Sequence, residues 1–278
     1  MGSDTWLCAR QERLLAARSR WTQIFAVVFA ALVLAIAASG YVLSGGRGIQ
    51  DFARTAASLM QLVLLIVPLA SLVMGILAMT PDRGGAEVLY AQPIARHAVL
   101  AGTWLGLFEA LAGAQLLGFG AAGLVIFSQG GADGLPAYLL VTGASLVLTA
   151  IFLSIAAMIS VGQIGRRRVR ALAIGLVAWF VLALVFDVAV LGVATLLRSG
   201  DASRLLIVSV LVNPIDALRT GALLGVEGTA AFGPASQALF RFTRGPQQAA
   251  VLIVLSALFW IVVPLVAASR KLARIDIA

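Results

Sequence analysis

Residues Ala98–Phe127 read AVLAGTWLGLFEALAGAQLLGFGAAGLVIF, thirty positions with one charged side chain, Glu109. At 1.5 Å of rise per residue, about 20 helical residues already cross a hydrocarbon core of about 30 Å. Alternation of period two is absent, so the stretch reads as a membrane-spanning helix and not as a barrel strand. Five further runs share the pattern: Gln23–Leu43, Ala56–Met79, Ala137–Val161, Ala171–Leu197 and Ala249–Ser269. Among them they hold one more charge, Asp187 in the fifth. The expected fold class is therefore all-α, a polytopic membrane protein with six transmembrane helices. The apolar run Leu205–Val212 has eight residues, too few to cross, and is expected at the interface.

Composition agrees. Of 278 residues 61% are hydrophobic and 12% charged, against about 45–50% and about 25% in soluble domains. A water-soluble globule and a disordered chain are excluded, and a single cysteine, Cys8, excludes a disulfide scaffold. Twenty-two residues precede the first span, including Asp4 and Glu12, and the apolar run is longer than a typical signal-peptide core, which favours an uncleaved anchor.

The basic residues are unevenly placed. Arg10, Arg13, Arg18 and Arg20 precede the first span, Arg83 and Arg96 follow the second, Arg166, Arg167, Arg168 and Arg170 follow the fourth, and Arg270, Lys271 and Arg274 follow the sixth. Opposite them the short segments carry only Arg47 and Arg54. Positive-inside bias then places both termini in the cytoplasm. The net charge of +8 follows from this asymmetry, so nucleic acid is not needed as a partner.

Residues 4–21 fit an amphipathic elbow helix. Trp6, Leu7, Leu14, Ala17 and Trp21 fall within an arc of roughly 100°, flanked by arginines that suit lipid headgroups. In the third span Gly102 and Gly106 stand at GxxxG spacing, followed by Gly113, Gly118, Gly120 and Gly123. That stripe marks close helix packing, within the chain or against a second copy.

Much chemistry is missing. The sole lysine, Lys271, lacks any G-x-x-x-x-G-K context, so no phosphate loop is present. One histidine, His97, and one cysteine form neither a metal cluster nor a Cys/His dyad, and no metal site is expected. Met60, Met74 and Met79 do not share a face cleanly and read as packing residues. Glu109 and Asp187 are the intramembrane polar candidates, either a proton or cation site, or protonated or hydrogen-bonded acids at a helix interface, or acids facing a water-filled vestibule. Neither has a basic partner within the spans, and no discontinuous helix pair is expected around them.

The segment after the second span departs from a plain charged turn. Gly84-Gly85 open it, Glu87 begins a helix-compatible stretch, Val88, Leu89 and Tyr90 form an apolar knob, and Pro93 closes it before Arg96. Such a knob suits docking into a groove on a soluble partner. With Gly84, Glu87, Leu89, Pro93 and Arg96 in register, the segment resembles the G-T-x-E-x-L-L-x-x-P-x-x-R signature of ABC-2 type permeases. That resemblance implies a single ABC-2 transmembrane domain over residues 1–278, with a coupling helix resting on a cytoplasmic ABC ATPase subunit, a periplasmic loop at 198–248, and a place in the bacterial inner membrane. ATP and magnesium would be bound by the partner, with no cofactor and no catalytic residue in this chain.

A narrower resemblance rests on Val185–Val188 and Asn213–Arg219, with Gly118–Gly120 and Gly175–Phe180 in agreement. These stretches are similar to the NosY-like group, permeases of copper-maturation transporters for nitrous oxide reductase. It implies a second copy of the chain and a periplasmic copper-handling β-helical protein, touched by Asn213, Pro214, Asp216 and Arg219. On the residues alone, Asn213-Pro214 is a turn signal and Asp216 is placed to cap the following helix. The alternatives are a proton-coupled secondary carrier, an ABC-2 exporter of lipid, glycan or drug, and a passive anchor.

Overall fold

A computed structural model describes residues 3–44, 49–81, 84–85, 93–130, 134–164, 168–223, 234–243 and 245–275. Among these every regular element is helical: α1 (Ser3–Arg18), α2 (Arg20–Ser44), α3 (Ile49–Met79), α4 (Arg96–Gly130), α5 (Leu135–Val161), α6 (Arg168–Leu196, with one π turn at Val181–Val185), α7 (Ser199–Val212), α8 (Pro214–Leu223), α9 (Pro234–Thr243) and α10 (Pro246–Arg274). Six helices are long and apolar enough to cross a membrane, and they are α2 to α6 and α10, the six runs expected from the sequence.

The centre of the bundle is α5. Leu148, Ile151, Phe152 and Leu153 are fully buried on it, and so are Ser145, Thr149, Ser154 and Ser160. Lipid is as apolar as leucine, so helices in a membrane associate through packing and interhelical hydrogen bonds instead of hydrophobic exclusion. The hydroxyls on α5 serve that purpose. Gln115 of α4, fully buried, donates to Thr149 Oγ1 at 2.7 Å and accepts from Ser145 Oγ. Trp104 Nε1 donates to Ser154 Oγ at 3.1 Å, and the Tyr138 hydroxyl donates to the Phe119 carbonyl. Thr149 and Ser154 also bond back to carbonyls four residues earlier, which keeps their hydroxyls satisfied inside the helix. α3 and α10 pack on other faces of α5. Met60, Met74 and Met79 are buried packing residues.

α1 runs along α4 and not alone on a surface. Its small residues Thr5, Ala9 and Ala16 are buried, while Trp6, Leu7, Leu14 and Ala17 form its outward face; the expected elbow of residues 4–21 breaks at Ser19, so Trp21, also exposed, belongs to α2. The GxxxG pair makes this approach possible. A Cβ on Gly102 would strike Cys8, and one on Gly106 would strike the Ala9 carbonyl and lie 2.8 Å from the Arg13 nitrogen. Gly118 continues the seam beside Phe29 of α2. The glycine stripe is thus a packing face within the chain over these positions.

Residues 199–223, part of the expected outer loop, are helical. α7 and α8 meet at a 95° bend, which fits a span broken in the middle as well as a re-entrant pair, and Leu205–Val212 is the second half of a helix whose end is buried in the bundle. Val210, Ile215, Ala217, Leu218 and Ala222 belong to the main buried cluster.

Candidate functional site

The bend between α7 and α8 is held by side-chain hydrogen bonds from three elements, and it begins with Asn213. Asn-Pro ends one helix and starts the next: Pro214 supplies the fixed φ of a first helical turn and lacks the N–H that would be orphaned there. Asn213 is the cap, its Oδ1 accepting from the Ile215 nitrogen at 3.1 Å. The expectation that Asp216 caps α8 is corrected, since an Asx side chain immediately before the proline reaches the free N–H first. Asn213 Nδ2 donates twice, to Asp216 Oδ2 at 3.0 Å and to the carbonyl of Leu182 at 2.9 Å.

Leu182 lies in the π turn of α6. A π turn widens the helix by one residue and disturbs the usual bonding to the fourth residue, so a carbonyl there can accept from outside. The wider turn also brings Asp187, five residues on, towards the face that carries Leu182. Arg219 of α8 then reaches it: its Nη2 donates to Asp187 Oδ2 at 2.9 Å and to Asp216 Oδ1 at 2.7 Å. Two carboxylates share one guanidinium, whose Nε is buried without a partner. From the other side, α10 satisfies the last carbonyls of α7. Ser256 Oγ donates to Leu211 at 2.6 Å and Trp260 Nε1 to Val212 at 3.0 Å. The bend is clasped between the fifth and sixth spans.

Asp187 and the group Asn213, Pro214, Asp216 and Arg219, which the sequence suggests for separate roles, are one cluster. Asn213 and Pro214 are buried and Asp216 is 13% exposed, so these side chains face the bundle interior. Both intramembrane acids also have basic partners from outside the six spans, and the bent pair is discontinuous. The expectation of no discontinuous pair is corrected, and the partners, absent from the spans as expected, come from segments that hydropathy alone does not assign to the bundle. For Glu109 the partner is Arg13 of α1, at 3.0 Å. Burial pushes the nearby Glu12 carboxyl up from its ordinary 4.5 and the Cys8 thiol up from 9.0, the latter helped by Asp4.

On the opposite side, Glu87, Val88, Leu89 and Tyr90 of the expected coupling segment lie outside the described residues. Gly84 and Pro93 are exposed. Arg96 opens α4 and donates to the carbonyls of Leu272 at 3.3 Å and Ile275 at 2.7 Å, so it caps the end of α10. Sequence reasoning missed Arg13, Ser256 and Trp260. Among the described residues no group of three or more His, Cys, Asp or Glu side chains is placed to hold a metal.

Comparison with known proteins agrees with this architecture. The model of the ABC-2 family transporter proteins matches residues 6–277. The probable ABC transporter permease protein NosY of Stutzerimonas stutzeri is 34% identical over 275 residues, covering 96% of both chains. The protein of the same description in Pseudomonas aeruginosa is 33% identical over 234 residues, covering 82% of this chain and 84% of its own. A six-span bundle matched from end to end in this way belongs to the ABC-2 transporter family, as a membrane-spanning permease subunit.

Proposed function

We propose that this permease receives movement from a cytoplasmic ABC ATPase on the segment Gly84–Arg96 and passes it to the re-entrant pair α7–α8 on the outer side. ATP and magnesium are held by the ATPase, and this chain is a non-catalytic transmitter working as two copies, with both termini in the cytoplasm of a bacterial inner membrane. The observation that carries the reading is the clasp at the bend. Asn213 and Arg219 tie the re-entrant pair to α6, while Ser256 and Trp260 tie it to α10, so neither span can shift without moving it. A packed element of this kind moves as a unit or not at all.

The cargo reading follows the similarity to NosY proteins: service of copper or sulfur supply for maturation of nitrous oxide reductase, with a periplasmic copper-handling partner over the outer segment. A copper path through this chain is disfavoured by its single histidine and cysteine and by methionines committed to packing. A proton-coupled carrier is the weaker reading, because Glu109 and Asp187 are each engaged by an arginine.

The test is purification of the tagged chain from native membranes with mass spectrometry of what accompanies it. An ATPase, a second copy and a periplasmic copper protein are expected, and Leu89→Asp should abolish stimulated ATP turnover. Full activity of the permease without any ATPase overturns the proposal.

A further inference from the structure

α6 is the least covered of the six spans, with only Ala171 and Gly175 buried along it, so its attachments are few and can be named. Its first residue makes one. Arg168 Nε donates to the carbonyl of Thr80 at 3.0 Å. Thr80 is the residue immediately after α3, and its nitrogen still bonds to the Ile76 carbonyl at 3.0 Å, so Arg168 holds the C-terminal end of α3 where the coupling segment departs. A guanidinium at a helix C-terminus meets both an orphan carbonyl and the negative end of the macrodipole. Seven residues on, Gly175 lets α6 lie against α3. A Cβ there would strike Ile76 and come within 3.4 Å of Leu72 Cδ2. Seven further on is Leu182, whose carbonyl is held by Asn213. A spacing of seven is close to two helical turns, so Arg168, Gly175 and Leu182 form one stripe along α6.

From this stripe we propose that Arg168 is a positioning residue, the handle by which movement of the coupling segment enters α6. Gly175 is the bearing on α3, and the Asn213 bend is the load at the far end. The inference rests on the coupling reading above and adds the route. It also separates two inputs, because Arg96, at the other end of the coupling segment, holds the end of α10. One arginine addresses the fifth span and the other the sixth.

The experiment uses the permease with its co-purified ATPase in nanodiscs, in a Cys8→Ser background, with spin labels at Ser203 of α7 and at Val27 of α2. Trapping the ATPase with ATP and vanadate should change the label distance in the otherwise unaltered chain. In Arg168→Ala the ATPase should remain bound with its KM for ATP unchanged, while the distance change disappears and permease-dependent stimulation of turnover falls about fivefold or more. Arg168→Lys, which keeps a cationic donor, should recover part of both. An undiminished distance change in Arg168→Ala overturns the inference. Should Arg168→Ala misfold, Gly175→Val keeps the handle and lifts α6 from its bearing. Loss of the change then supports the route, and its persistence overturns it. If the unaltered chain binds no ATPase, the proposed function falls and this inference with it. If the ATPase binds and Arg168→Ala behaves as wild type, only the route is lost.

Discussion

Single side chains in this protein carry more than their size suggests. Asn213 spends its carbonyl oxygen on Ile215 and its amide on Leu182 and Asp216. Asn213→Leu, which keeps the branching at Cγ but no polar atom, strands all three, and a buried polar group left unmet costs about 1–3 kcal/mol. Thermal unfolding in detergent should show a clear loss of Tm, larger than that of Ser203→Ala on the exposed face of α7. Glu12 gives a pH test. Burial raises its folded-state value, so the native chain holds this proton more tightly than the unfolded chain, and the stability contributed is lost as pH rises above about 4.5. Glu12→Gln should therefore raise Tm at pH 7 and flatten its dependence as pH rises above about 4.5; an unchanged slope would show that Glu12 is not desolvated against α4.

At the scale of elements, the docking of α1 can be followed through the only cysteine. Cys8 sits against Gly102. Gly102→Leu should push α1 off α4 and speed maleimide labelling of Cys8 severalfold, whereas Gly113→Leu, where a Cβ meets nothing, should leave the rate alone. The same elements show what is legible in the sequence. All six spans are, because hydropathy over about 20 residues is a local property. The glycine stripe is legible as a packing face, but its occupant is not, since a gap does not name the helix that fills it. Asn213, Asp216 and Arg219 stand out at three-residue intervals, from the cap into α8. What they grip is half invisible, because the carbonyl of Leu182 is a backbone group within a π turn, and no residue type encodes either. Pairings such as Arg13 with Glu109, 96 residues apart, are set by tertiary packing.

For the whole molecule, the decisive question is whether α7–α8 crosses. A re-entrant pair returns to its own side, so Ser203 and Gln247 should share a face of the membrane, opposite Gln163 at the end of α5. Single cysteines at these positions in a Cys8→Ser background, labelled from outside intact cells, should react at the first two and not the third. Reaction at Ser203 without Gln247 would make the bent pair a seventh span.

The seam between α1 and α4 also has a consequence for biogenesis. Arg13 leaves the ribosome well before Glu109, and the glycines that receive α1 are made with the third span. Until then the leader has nowhere to dock. Its cationic residues and outward tryptophans suit a wait among the headgroups of the membrane surface, so insertion of the third span is also the moment at which the leader is sealed in place.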